Sequence, residues 1–258
     1  MWRHIACSLQ GPSHRAENLP CQDDSRVQWL DGEPAGVLVA CVADGAGSAS
    51  HSGEGSQLAC DAIIAQALAW VDAGQGFDDF RRADAVAWCP AARQTIEETA
   101  DARDIDVREF ATTLCAAVLS GNRCICIPIG DGAIVLRGHG AYGIVCWPQS
   151  GEYANTTNFL TGPGFQDHIE FVSAQGDFTD VALFTDGMER LALDFTSRTP
   201  HLPFFEPLFK ALRTADDSQQ LEQGLRDFLQ SDPVTSRSDD DKSLVLATRG
   251  GADNGAAG

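Results

Sequence analysis

The sequence predicts an α+β sandwich, with β-sheets covered by helices. Val37–Ala43 is apolar without a break between Gly36 and Asp44-Gly45, which marks a strand buried on both faces. The middle of the chain is cut into short apolar runs by glycine-containing turns. Residues at helical spacing fall in separate blocks instead of alternating one for one with strands, which argues against a doubly wound parallel sheet.

Taken in order, the short segment Ser25–Leu30 and the buried Val37–Ala43 strand come first. A helix follows, in which Cys60, Ile64, Ala67, Leu68 and Val71 share one face. A second helix is expected over Ala91–Ala102, opening just after Pro90. Thr113–Leu119, Cys124–Ile129, Ala133–Arg137 and Gly143–Trp147 then read as an antiparallel meander. Val181–Thr185 is another buried strand, and Leu221, Leu225, Phe228 and Leu229 lie on a late amphipathic helix capped by Asp217 or Ser218. Ser243–Thr248 is the last strand. A single domain is expected over residues 1–249, with a flexible Gly- and Ala-rich tail at 250–258.

The chain has 258 residues, 43% hydrophobic and 21% charged, an ordinary globular composition. A chain of this size buries about 70% of its unfolded surface without covalent staples. Lys plus Arg number 18 against 37 Asp plus Glu, a net charge of −19. That balance repels phosphate backbones and anionic lipid, so neither nucleic acid nor a membrane is expected as a partner. The longest apolar stretch, Leu58–Val71, is broken by Asp61 and Gln66 and is too short to span a bilayer. The nine cysteines form no CxxC pair and sit mostly within apolar runs. Free buried thiols in a reducing compartment, the cytoplasm, account for them.

The informative residues are aspartates at strand ends. Asp44 follows Val37–Ala43, Asp131 follows Cys124–Ile129, Asp186 follows Val181–Thr185, Asp239–Asp241 precede the last strand, and Asp23 and Asp24 precede Ser25–Leu30. Any one Asp-Gly step is ordinary turn chemistry. Strand ends in a sandwich converge at one edge, however, and carboxylates crowded there repel one another unless a cation neutralises them. Hard divalent ions such as Mg²⁺ and Mn²⁺ take such oxygen ligands and retain water.

Six segments in order carry a family resemblance: Gln22–Asp24, Val42–Ser48, Ala111–Leu114, Ile129–Gly132, Phe184–Met188 and Asp240–Ala247. Together they resemble the PP2C metal-dependent protein serine/threonine phosphatases. The opening Gly11–Asp24 and the segment Gly151–Gly162 resemble the divergent bacterial branch. The resemblance implies a four-layer α-β-β-α sandwich with two central antiparallel sheets, and hydrolysis of phosphoserine and phosphothreonine in proteins by water activated between two Mn²⁺ or Mg²⁺ ions. By position, Asp44 resembles the carboxylate bridging the two ions, and Gly45 the residue whose carbonyl reaches one of them. Asp186 and Asp240 resemble the remaining direct ligands. Asp23 resembles the acidic residue that holds coordinated water, and Asp131 the carboxylate at a third, weaker metal. Asp240 is chosen because it lies three residues before Ser243, with Asp241 in the usual Asn place; Asp239 is the substitute.

The chain also departs from the pattern. The phosphate-binding arginine has no counterpart at the usual spacing; the nearest basic residues are Arg15 and His14, eight and nine residues before Asp23. Ala46 stands where many members carry histidine. His51 reads as a solvated loop residue, and the glycine-rich segment Gly45–Gly55 lacks the lysine of a phosphate loop. The implied partner is a phosphorylated protein, with a cognate serine/threonine kinase as a candidate substrate. The competing expectation is a PP2C-fold module that binds phosphoprotein without turnover. A calcium-stabilised structural domain is the third.

Overall fold

A computed structural model describes residues 2–31, 36–148 and 157–250. The elements in chain order are β1 (Trp2–Leu9), α1 (Pro12–Glu17), β2 (Asp24–Leu30), β3 (Val37–Ala43), α2 (Ser52–Asp72), α3 (Arg82–Asp101), β4 (Leu114–Ser120), β5 (Arg123–Ile129), β6 (Ala133–Gly138) and β7 (Ala141–Cys146). They continue with β8 (Val172–Gln175), β9 (Phe178–Phe184), α4 (Glu189–Ala192), β10 (Leu193–Asp194), β11 (Thr199–Pro200), α5 (Leu202–Thr214), α6 (Ser218–Leu229), α7 (Asp232–Thr235) and β12 (Lys242–Arg249). One five-stranded sheet has the order β1-β12-β9-β6-β7 and the other β2-β3-β4-β5-β8, with antiparallel pairing throughout.

The period-2 alternation of the central strands explains the layering. Along β3, Val39, Cys41 and Ala43 pack with α2 and α3, while Leu38, Ala40 and Val42 pack against the opposite sheet. Along β12, Leu244 and Leu246 meet α5 and α6, and Val245 and Ala247 meet the other sheet. Both faces of these strands are apolar because both are covered, so they read as unbroken hydrophobic runs. The result is the α-β-β-α sandwich.

Three local expectations are corrected. The middle strands do not form one meander: the β4–β5 hairpin lies in one sheet and the β6–β7 hairpin in the other. The Gly130-Asp131-Gly132 turn is therefore a crossing between sheets, which sets Asp131 at their common edge. α3 begins at Arg82, not after Pro90, and runs through that proline. The missing N–H costs the helix a bond, but Trp88, Cys89, Ala92 and Ile96 around it are buried, with Trp88 edge-on to Phe80 at 4.7 Å. The buried stripe of α2 is Ser56, Ala59, Cys60, Ile63 and Ala67, and Leu68 is 37% exposed. Small residues on that stripe let the helix lie close to its neighbours. The caps agree better: Asp217 accepts from the backbone N–H groups of Gln219 and Gln220. Residues 251–258 and 151–156, which include most of the expected tail and part of the Gly151–Gly162 segment, lie outside the described residues.

The outer core beneath α5 is aromatic. Phe205 is fully buried among Phe184, Phe204, Phe209 and Tyr142. Phe205→Ala is expected to lower unfolding free energy by about 3–5 kcal/mol in urea titrations. A loss below about 1 kcal/mol would contradict this packing.

Candidate active site

The strand ends meet at one edge of the sandwich. Asp44 follows β3, Asp131 lies between β5 and β6, Asp186 follows β9 and Asp240 precedes β12. All four line a single cavity of about 680 Å³, together with His14, Gly45, Thr113, Thr157 and Asp239. Asp23, before β2, is 6% exposed and lies behind this rim, its carboxylate accepting a hydrogen bond from the Thr185 hydroxyl at 2.7 Å.

The electrostatics are those of crowded acids. Burial pushes the Asp44 carboxyl well above its ordinary range, and Asp23, Asp186 and Asp131 push it further. Burial raises Asp186 to about 6, with Asp131 and Asp240 adding to the rise. Asp23 and Asp131 are raised too, chiefly by burial and then by the neighbouring carboxylates. Glu189, on the turn after Asp186, rises to about 7 through burial and the charges of Asp186 and Asp131. The sequence reading missed it, although Asp186 lies only three residues before it; the second charge, Asp131, comes from a different turn. Like charges brought together raise pKa in this way when no cation offsets them.

These residues fit divalent metal ions. Every donor is a hard oxygen. Asp131 Oδ2 accepts from Thr157, while its buried Oδ1 has no hydrogen-bond partner. Among the described residues no three His, Cys, Asp or Glu side chains stand close enough together to hold a metal ion without moving. The carboxylates ring an open cavity instead, the arrangement that suits ions which keep several waters.

Backbone hydrogen bonds hold Asp44 at the rim. Its N–H donates to the Thr113 hydroxyl at 2.9 Å, and the Thr113 N–H donates to the Asp44 carbonyl at 2.8 Å. Thr185 joins two strand ends, donating to Asp23 and accepting from the Ser243 N–H at 3.0 Å. Both threonines sit inside quoted motifs, yet nothing in sequence spacing showed what they bind. Two glycines are steric requirements. A Cβ on Gly45 would lie 2.6 Å from the Gln22 carbonyl oxygen, and one on Gly187 only 1.8 Å from that of Asp241.

Within the Asp239–Asp241 triple, the structure separates the roles. Asp241 is 2% exposed and turned inward, accepting from the N–H groups of Gly11 and Gln22, each at 2.6 Å. Its Oδ2 also meets His14 Nδ1 at 2.8 Å. Asp239 and Asp240 face the cavity. Of the two basic candidates, His14 lines the cavity, whereas Arg15 is exposed on α1 and does not. His51 stacks on Phe110 at 5.1 Å and lines a neighbouring hollow instead.

A pH effect follows. Folded Asp186 has a pKa near 6 against an ordinary 3.8, so the folded state binds more protons between those values. Linkage then makes the metal-free protein gain stability as pH falls through about 6 and lose it as pH rises. From pH 5 to 7.5 in chelator, Asp186 alone is expected to cost about 1–1.5 kcal/mol. Saturating Mn²⁺ removes the trend, since the cation replaces the protons. Urea unfolding at both pH values, with and without metal, checks it; an identical slope in both conditions would contradict the assignment.

Comparison with known proteins identifies the family and supports the fold. The sequence matches the family described as protein phosphatase 2C over residues 10–230. It is 38% identical over 252 residues to serine/threonine-protein phosphatase 3 of Escherichia coli (strain K12), covering 95% of this chain and 98% of that protein. The fold is similar to that of the catalytic domain of the serine threonine protein phosphatase PstP in complex with two manganese ions: TM-score 0.61, 18% identity, covering 96% of this chain and 97% of that one. It is also similar to RsbX in complex with magnesium, with TM-score 0.55 and 13% identity over 96% of this chain and 94% of that one. The family match spans most of the sequence and the relative is similar along nearly its whole length: the chain belongs to the protein phosphatase 2C family.

Proposed function

We infer that the protein is a divalent-metal-dependent phosphatase that hydrolyses phosphoserine and phosphothreonine in other proteins. The observation that carries this reading is the convergence of Asp44, Asp131, Asp186 and Asp240, from four separate strand ends, on one open cavity. Two Mn²⁺ or Mg²⁺ ions are assigned to it. Asp44, the Gly45 carbonyl, Asp186 and Asp240 would hold them directly, and Asp23 would act through water. Asp131, with its unpartnered Oδ1, would serve a third ion. Ions held there lower the pKa of water and offset the charge that develops on the phosphoryl oxygens.

The chain's own groups supply position. Thr113 fixes Asp44 through its backbone and Thr185 holds the Asp23 carboxylate through its hydroxyl, and His14 is the substrate-phosphate contact. Arg15 is reserved for the approach of the substrate, since it is exposed on α1. The net charge of −19 does not forbid an anionic substrate, because charge spread over the surface is screened within about 8–10 Å. The catalytic unit is taken as residues 1–249, and the substrate as a phosphoprotein such as a cognate kinase. All nine cysteines are unpaired, which supports a reducing, cytoplasmic setting; no described helix is long and apolar enough to cross a membrane.

The test is release of phosphate from a phosphothreonine peptide in Mn²⁺ and in chelator. Mn²⁺-dependent release is expected. Binding of the peptide without release would favour the non-catalytic module, and equal stabilisation by Ca²⁺ without release would favour the structural domain.

A further inference from the structure

His14 is the one imidazole lining the cavity, and its setting is that of a held proton donor. Its side chain is 13% exposed, and Nδ1 lies 2.8 Å from Asp241 Oδ2. Asp241 also accepts two backbone N–H bonds, from Gly11 and Gln22. A carboxylate ringed by donors is an acceptor toward the imidazole as well, so His14 Nδ1 carries the proton in that bond. This fixes the tautomer and orientation of the ring. The other ring nitrogen, Nε2, is the atom left for the cavity, which His14 shares with Asp44, Asp131, Asp186, Asp239, Asp240 and Glu17. Ala46 occupies the place beside Asp44 where a second imidazole would stand.

We propose that His14, held by Asp241, is the general acid that protonates the departing serine or threonine oxygen. The inference rests on the phosphatase reading and deepens it: His14 contacts the phosphate through its ester oxygen. As the P–O ester bond breaks, the Nε2 proton passes to the ester oxygen, giving the free hydroxyl. Water forms the new P–O bond, keeping one proton in hydrogen phosphate and releasing the other to solvent, from which His14 is reprotonated. A serine or threonine alkoxide is a poor leaving group and needs this proton. A p-nitrophenolate leaves without it. Asp241 is then a positioning residue.

Leaving-group dependence separates this role from simple anion binding. For His14→Gln, turnover of a phosphothreonine peptide is expected to fall about 10²–10⁴-fold, and that of p-nitrophenyl phosphate by at least tenfold less. Mn²⁺ affinity, measured by calorimetry, is expected to stay within about twofold. Equal losses on the two substrates would mean that His14 only grips phosphate, and a parallel loss of Mn²⁺ affinity would make it part of the metal site; either overturns the proposal. If wild type hydrolyses neither substrate with Mn²⁺, it is the phosphatase reading that fails. Nitrogen NMR of the wild-type imidazole keeps the proposal falsifiable should His14→Gln not fold. A proton on Nδ1, lost from slow exchange in Asp241→Asn, is expected; a neutral ring with Nδ1 bare would overturn it.

Discussion

Asp44→Asn is expected to reduce Mn²⁺-dependent phosphate release by about 10³-fold or more while leaving the fold intact. Asparagine has nearly the same shape, and the bonds that hold position 44 are backbone bonds to Thr113, which the change does not touch. What is lost is the charge nearest the middle of the acidic ring, where Asp23, Asp186 and Asp131 all bear on it. The same change should move the metal-free protein in the opposite direction. A neutral amide removes the repulsion, so the unfolding midpoint in chelator should rise. Higher stability with lost activity is the signature of a strained functional site. Wild-type turnover in this variant would remove Asp44 from the mechanism, and a lower midpoint in chelator would mean that the repulsion was never there.

The second large effect concerns stability. Asp241→Ala is expected to cost about 3–5 kcal/mol, since it strands the buried N–H groups of Gly11 and Gln22 at about 1–3 kcal/mol each and releases His14. The damage is not confined to one loop. Through Asp241 the segment after β1, the segment before β2 and the start of β12 are tied together, so Asp240 loses its footing as well. Activity should fall in proportion more than stability does. Asp239→Ala, whose carbonyl but not its carboxylate bonds to Ser13, is expected to unfold within about 0.5 kcal/mol of wild type. Equal losses in the two variants, followed by urea unfolding, would contradict the distinction drawn within the triple.

What the sequence disclosed follows from which interactions are local. β3 was readable to the residue because both faces are buried and Gly36 and Asp44-Gly45 bound it. Asp217 was readable as a cap because its partners lie two and three residues away. Pro90 misled because proline most often opens a helix, whereas here the tertiary packing of Trp88 and Ile96 overrides its cost. The meander reading failed at Gly130–Gly132 because a turn between sheets and a turn within one share the same residues. β1 buries Ile5, Cys7 and Leu9 in strict alternation, but Trp2 breaks the period at its start and left too short a pattern to read. At the site, the aspartates were visible through turn chemistry at strand ends. The inward rotation of Asp241, the approach of Asp131 to Glu189 and the meeting of His14 with a residue more than 200 positions away depend on long-range closure, which no local pattern carries.

The most direct test of the central claim is anomalous scattering from manganese in crystals of the protein grown or soaked with Mn²⁺. Two peaks are predicted at the sheet edge, with oxygens of Asp44, Asp186 and Asp240 within about 2.1 Å of them. Mn²⁺-dependent turnover in the same preparation, with manganese bound elsewhere and none beside Asp44, would contradict it.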